Sequence, residues 1–199
     1  EGQVKGPPIV YDIEIVKAIP DRKYANTPGI EYCAGWRDFA GMGIAVLCAI
    51  DLVELVPRVF LADNMDEFKR WSEGRVLCGH SNHAFDDEIL KATGNWTAAG
   101  SWDLLRHLRA AVGEPMDFAG GRTKGGRKVN DLALVNLGVQ KSMDGAQAPV
   151  RWQQGAHGEV IDYCLRDVAI ELRLIQRWDC LKDPVTGQTF KLSEPGLHA

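Results

Sequence analysis

Asp12 and Glu14 stand one residue apart in the run 9–16, IVYDIEIV. On a strand, side chains two residues apart leave the same face, so both carboxylates can approach one cation from one side. If that face is buried, two ionised carboxylates without a counter-charge cost several kcal/mol. If it is wet, the same pair is only the acidic side of an amphipathic strand, and the spacing alone does not choose. A third carboxylate, Asp86, ends the segment 79–86, GHSNHAFD, directly after the short apolar run 75–79. An acid at a helix start just beyond a buried strand can point into a cleft at the end of a sheet. The plainer account is that Ser81 or Asn82 caps the helix while Asp86, Asp87 and Glu88 enrich its first turn in acid, and capping leaves the Asp86 side chain free for either purpose. The fourth acid, Asp167, follows Tyr163 by four residues, which places the two on one face of a helix. Each element has an ordinary structural explanation, and the information lies in their conjunction.

The elements that must position these residues are readable in outline. Residues 9–16 form a first strand, followed by a long connection at 17–35 punctuated by Pro20, Asn26, Pro28 and Gly29. Strands are expected at 42–50 and 53–61, with Pro57 restricting the second to an edge. Asp63 is the expected cap of a helix through Met65, Phe68 and Trp71, and 75–79 reads as a buried strand. Ser101 reads as the cap of a helix reaching about Val112, stopped by Gly113 and Pro115. Residues 117–129 are rich in glycine and carry Arg122, Lys124, Arg127 and Lys128, which predicts a flexible positive loop. Asn130 and Gly138 bracket a short helix. The apolar stripe Ile161, Cys164, Leu165, Val168, Leu172 and Ile175 predicts a long helix over 158–178. The tail from Lys182 is expected to be peripheral. Strands first, then alternating helix and strand, imply an α/β chain with a central mixed sheet flanked by helices.

The chain of 199 residues is 45% hydrophobic, enough for one core, and is expected to form a single domain over 1–199. A formal charge of −4 excludes a protein held on nucleic acid by bulk positive charge, and leaves room only for a local basic patch. Cys33, Cys48, Cys78, Cys164 and Cys180 are odd in number and widely spaced, which speaks for reduced thiols in a cytoplasmic protein rather than a disulfide framework or a zinc site. No stretch approaches the ~20 apolar residues that span a membrane.

Taken in order, the motifs Asp-x-Glu (Asp12, Glu14), Asn-x-x-Phe-Asp (Asn82 to Asp86) and Tyr-x-x-x-Asp (Tyr163, Asp167) resemble those of the tyrosine-type DEDD 3′-5′ exonucleases. The sequence is similar above all to the proofreading exonuclease domain of family B DNA polymerases, within the ribonuclease H-like superfamily. The resemblance implies a ribonuclease H-like fold and two divalent ions bound by Asp12, Glu14, Asp86 and Asp167. It also implies that Tyr163 orients the attacking water. All-oxygen ligation points to Mg²⁺ or Mn²⁺ rather than zinc. Two such ions generate a nucleophile from water at neutral pH and stabilise the leaving 3′ oxygen. Ile15 departs from the pattern, since many relatives carry threonine there to hold the terminal nucleotide. His157, five residues before Asp162, imitates the histidine version of the third motif; the long aliphatic helix after Asp167 favours Tyr163.

The expected partner is nucleic acid, single-stranded DNA ahead of RNA, with recruitment by a replication or repair protein where the domain's own affinity falls short. An acidic site needs separate contacts to hold its substrate. Arg122, Lys124, Arg127 and Lys128 are candidates for the phosphate backbone with Lys141 as a second, while Asn82 and Phe85 are candidates beside the terminal nucleotide, Phe85 by stacking. Competing readings are a non-catalytic binding module on the same fold, an RNA-directed exonuclease, and an endonuclease of the ribonuclease H type.

Overall fold

The computed structural model describes residues 4–20, 24–117 and 126–196. Five strands, β1 (Ile9–Ile15), β2 (Ile44–Asp51), β3 (Pro57–Phe60), β4 (Val76–Gly79) and β5 (Gly100–Asp103), form one sheet in the order β3-β2-β1-β4-β5. β1 pairs antiparallel with β2 and parallel with β4, so the sheet is mixed as expected. The helices are α1 (Phe39–Met42), α2 (Met65–Ser72), α3 (Asp86–Ala92), α4 (Leu104–Ala111), α5 (Val129–Leu137), α6 (Ala148–Gln153) and α7 (His157–Ile175).

Strand alternation divides the core in two. Ile9, Tyr11, Ile13 and Ile15 pack with Phe60, Phe68, Ile89 and Leu90 on one face of the sheet. Val10, Cys48, Val76, Cys78 and Trp102 pack with Leu104, Leu132, Val160, Cys164 and Val168 on the other. Asp12 and Glu14 share the parity of Val10 and therefore continue the face covered by α7, opposite Cys48 and Val46 of β2. Burying both faces of β1 is what turns an acidic pair from a solvated edge into a constrained one.

Several local expectations shift. The strand expected at 53–61 is only Pro57–Phe60, because Asp51 accepts the N–H groups of Val53 and Glu54 and folds those residues into a turn with Leu55 at φ +58°. Asn64, not Asp63, is the N-cap of α2. Ser101 lies inside β5, and Asp103 caps α4 instead, its carboxylate accepting from Leu105 and Arg106. The cap of α5 is Lys128 rather than Asn130, whose Oδ1 accepts the Lys141 N–H. Neither Ser81 nor Asn82 makes a side-chain cap bond.

The segment after Lys182 is not peripheral. Strands β6 (Leu181–Lys182) and β7 (Thr189–Phe190) pair as a hairpin, and Leu181 and Leu192 are buried in the α7-side core. Asp183 at its base receives two hydrogen bonds from Arg127, and the Trp102 indole donates to Ser193 Oγ at 3.3 Å. The buried leucines make this segment part of the fold, a role its Pro and Gly content conceals.

Candidate active site

β1 and β4 are paired only at Ile9–Leu77 and Val10–Cys78, after which β1 runs on with β2 as its one strand neighbour. That divergence opens a gap at the carboxyl ends of the parallel strands, where open α/β sheets place their ligands. Asp12 and Glu14 lie on the part of β1 that extends past β4, paired on its other side with Cys48 and Val46 of β2. β4 ends at Gly79, where an added Cβ would sit 3.0 Å from the Asn82 Cβ and 3.2 Å from the Tyr11 carbonyl oxygen, so the chain can leave the strand this closely only without a side chain. Ser81 then takes φ +62°, and a 3₁₀ turn at Asn82–Ala84 delivers Asp86 to the start of α3. There the Asp86 carboxylate accepts the N–H of Ile13, at 3.2 Å, from the residue between the two acids of β1. Asp87 turns to the opposite face, where it is buried and accepts from the Tyr11 hydroxyl at 2.5 Å.

α7 supplies the rest. The Cys164 thiol donates to the Asp12 carbonyl oxygen at 3.4 Å, bringing the helix down on β1. One ligand atom each from Asp12, Glu14 and Cys164 lies within 4.8 Å of the others. Burial holds the thiol firmly protonated, so Cys164 serves the acids as a donor. Asp167 Oδ2 lies 2.5 Å from Lys141 Nζ, and that ammonium sits 5.1 Å from the centre of the Tyr163 ring. The Tyr163 hydroxyl and both Asp167 oxygens are buried without a well-aligned hydrogen bond among the described residues; Oδ2 meets Lys141 as an ion pair, and Lys141 and the Tyr163 hydroxyl together steady the Asp167 charge.

Electrostatically the cluster is strained. Burial first, then repulsion from Asp167, pushes Asp12 up to about 7. Burial with repulsion from Asp12 pushes Glu14 and Asp86 well above the usual carboxylate range. Lys141 offsets part of this repulsion, but one ammonium does not balance the carboxylates gathered here. Oxygen-rich, partly unsatisfied and concentrated at one point, the donor set fits a hard divalent cation.

Comparisons with known proteins bear on the fold. No family model matches the chain. No curated protein matches it either. Among solved structures, the family B DNA polymerase of the hyperthermophilic archaeon Pyrobaculum calidifontis aligns with 85% of this chain and 24% of its own, at TM-score 0.55 and 15% identity. Exonuclease I of E. coli in complex with a dT13 oligonucleotide aligns with 86% of this chain and 41% of its own, at TM-score 0.50 and 14% identity. The chain thus spans less than half the length of either. With the mixed five-stranded sheet and flanking helices, these likenesses decide the architecture. The fold is ribonuclease H-like.

Within this ribonuclease H-like sheet, the structure brings together Asp12, Glu14, Asp86, Tyr163 and Asp167. It leaves the alternative pair outside: His157 opens α7 exposed and tilted against the Trp152 ring, and Asp162 is exposed and paired with Arg166 at 2.8 Å. The nucleic-acid candidates divide. Arg122 and Lys124 lie outside the described residues. Arg127 is not a loop contact, since only 6% of its side chain is exposed and its guanidinium is engaged by Asp183 and Glu114. Asn82 is 1% exposed and donates to Ser101 and Asp87, so it builds the turn rather than facing a ligand. Lys141 sits inside the carboxylate cluster, not on an outer phosphate track. Lys128 is exposed, and Phe85 packs edge-on against Trp36 and Phe39 beside Asp86.

Two residues escaped the sequence reading. Glu171 is buried one turn after Asp167, where its Oε2 accepts the His80 N–H at 3.2 Å; the signal was an acid at a buried position of the helix, in step with Tyr163 and Asp167. Asp103, besides capping α4, accepts the N–H groups of Ser81 at 3.0 Å and His83 at 3.2 Å. It thereby holds the turn that carries Asp86, and nothing in its local sequence announces a bond across 20 residues.

Proposed function

We propose that this chain is a divalent-metal-dependent 3′-to-5′ exonuclease that releases nucleoside monophosphates from the 3′ end of single-stranded DNA, with RNA as the competing substrate. The observation that carries the reading is the meeting of four carboxylates from β1, α3 and α7 at the open end of the sheet, beside a buried tyrosine hydroxyl with no well-aligned hydrogen bond among the described residues. Asp12, Glu14, Asp86 and Asp167 would hold two Mg²⁺ or Mn²⁺ ions, which when bound supply a nucleophile from water and offset charge on the leaving oxygen. Tyr163 holds the attacking water through its buried hydroxyl, and Glu14 orients that water from the strand side. Asp86, pinned by the Ile13 N–H, fixes the depth to which the terminal phosphate enters. Phe85, Trp36 and Phe39 form an aromatic group beside Asp86 suited to an unstacked base, and Lys128 is the exposed cation left for the backbone. That two fold neighbours are a DNA polymerase and an exonuclease bound to an oligonucleotide supports the same class.

With a net charge of −4, the domain is weak in nonspecific nucleic-acid affinity, and we assign its delivery to a replication or repair partner. All five cysteines are free, which suits the reducing cytoplasm. The deciding experiment incubates the purified protein with 5′-labelled single-stranded DNA, its RNA counterpart and a circular single strand, in Mg²⁺, Mn²⁺ or EDTA. A metal-dependent ladder shortening from the 3′ end of one linear strand, with the circle intact, is expected. Cleavage of the circle would make the protein an endonuclease, and binding without cleavage would make it a non-catalytic module.

A further inference from the structure

Five acids, Asp12, Glu14, Asp86, Asp167 and Glu171, crowd the open end of the sheet. Lys141 is the basic side chain whose charge reaches Asp12, Glu14, Asp167 and Glu171. It comes from the connection between α5 and α6, which is held at Lys141 itself and packed closely at Gly145. The Lys141 N–H is bound by Asn130 Oδ1 at 2.9 Å, and Gly145 passes so near that a Cβ there would lie 3.5 Å from the Tyr163 hydroxyl. Held this way, the backbone aims the ammonium onto Asp167 Oδ2 and along the Tyr163 ring.

The two anchors fix the backbone but not the end of the side chain. The Lys141 side chain is 24% exposed, so its four-carbon stem has an outlet to solvent, whereas the Asp167 side chain, 1% exposed, has none. Besides Lys141, the Tyr163 hydroxyl is the polar neighbour that steadies the Asp167 charge, and it is neutral, so the ammonium is the positive charge in contact with this carboxylate. A divalent ion bound to Asp167 would lie within a few ångström of the ammonium, and the repulsion between them falls on the side chain that has an outlet.

Resting on the reading that Asp167 is a metal ligand, we propose that Lys141 is a tethered counter-ion whose ammonium occupies the cation position on Asp167 in the metal-free protein and is expelled when a divalent ion binds. The pair and the ion are mutually exclusive. Lys141 then does two things that a surface phosphate contact does not. It prevents Asp167 from being a buried, unpaired charge before metal arrives. It also lowers the apparent metal affinity, because the ion binds only the fraction of molecules in which the lysine has swung away. The domain loads metal only above a threshold concentration and keeps its acids in place below it.

The test needs no nucleic acid and no turnover. Lys141→Met and the parent protein are titrated with Mn²⁺ by calorimetry, and lysine reactivity toward an acetylating reagent is read by mass spectrometry in EDTA and in saturating Mg²⁺. Expected are Mn²⁺ binding about tenfold tighter in Lys141→Met, a lower melting temperature of that variant in EDTA, and a several-fold rise in Lys141 acetylation of the parent when Mg²⁺ is added. Lys141→Arg, which keeps the charge, should leave the melting temperature in EDTA near that of the parent. Mn²⁺ binding that is unchanged or weaker in Lys141→Met, or Lys141 acetylation that is unchanged or lower with Mg²⁺, overturns the displacement while leaving the metal site standing. Absence of Mn²⁺ binding in both proteins overturns the metal site and this proposal together.

Discussion

At the scale of single residues, the five motif positions do different work, and substitution should separate them. Asp12→Asn removes a proposed cation ligand and one carboxylate from a self-repelling cluster. Cleavage should fall by at least ~10²-fold, the range for losing one preorganised electrostatic group, while the melting temperature in EDTA holds or rises. Unimpaired cleavage in the folded variant would remove Asp12 from the mechanism. Tyr163→Phe deletes a hydroxyl that makes no well-aligned hydrogen bond among the described residues, so stability should barely move while kcat drops by up to ~100-fold through lost water positioning. Asp103→Ala is the contrasting case. Its carboxylate satisfies four backbone N–H groups, two in α4 and two in the turn before Asp86, and losing the cap alone costs about 0.5–2 kcal/mol. We expect both a lower melting temperature and weaker Mn²⁺ binding, because the turn that carries Asp86 loosens; a variant with a lowered melting temperature but parental Mn²⁺ affinity would confine Asp103 to capping. Asp12, Glu14, Asp86, Tyr163 and Asp167 were legible because each belongs to a short motif with fixed spacing. Glu171, Asp103 and the true place of Lys141 were not, since their partners are distant in sequence and only the fold reveals them.

Among the elements, the long amphipathic α7 and the β-branched β1 were evident from periodicity, whereas β5 was hidden. Four residues on a sheet edge carry too little alternation to register, and Ser101 imitated a cap. The boundaries of β3 and α2 moved for a related reason: Asp51 and Asn64 satisfy backbone groups that a propensity reading leaves unassigned. The end of β4 is a tight place next to the acids. Gly79→Ala puts a methyl 3.0 Å from the Asn82 Cβ and 3.2 Å from the Tyr11 carbonyl, and neither backbone can yield freely. A loss of about 1–3 kcal/mol is expected, as for overpacking elsewhere in cores, together with reduced cleavage as Asp86 shifts. Chemical denaturation and the nuclease assay on the same preparation check both; a variant as stable and active as the parent would show that the turn is more compliant than its geometry.

For the whole molecule, the crowded acids set how stability responds to pH. Asp12 rises from its ordinary 3.8 to about 7 on folding, and Glu14, Asp86 and Glu171 also rise, so the metal-free native state keeps protons that the unfolded chain has released. Stability from these groups is therefore full at low pH and is lost as pH climbs from about 4 to about 7. His80 acts in the opposite sense, its burial favouring the neutral ring as pH passes its ordinary 6.5, but it stands against several acids. Asp183, lowered to about 2, contributes stability that is present above its ordinary value and lost only in stronger acid. In EDTA the melting temperature should thus decline by several degrees between pH 5 and pH 8, and Mg²⁺ should shrink or reverse the trend, since an ion binds the deprotonated acids. A flat or rising profile in EDTA would contradict the crowding described above.

The hairpin at 181–190 has a bearing on how the chain is made. Leu181 and Leu192 seal the side of the core that holds α7, and Asp183 binds Arg127 across 56 residues. A nascent chain emerging from the ribosome in order can assemble the sheet and lay down α7 well before these residues arrive. Until they do, apolar surface beside Trp102 and Val168 stays open to water and to chaperones. Closure of that face therefore waits on residues 181–192, so a chain cut before Leu181 should keep the sheet and α7 but expose the apolar face they share.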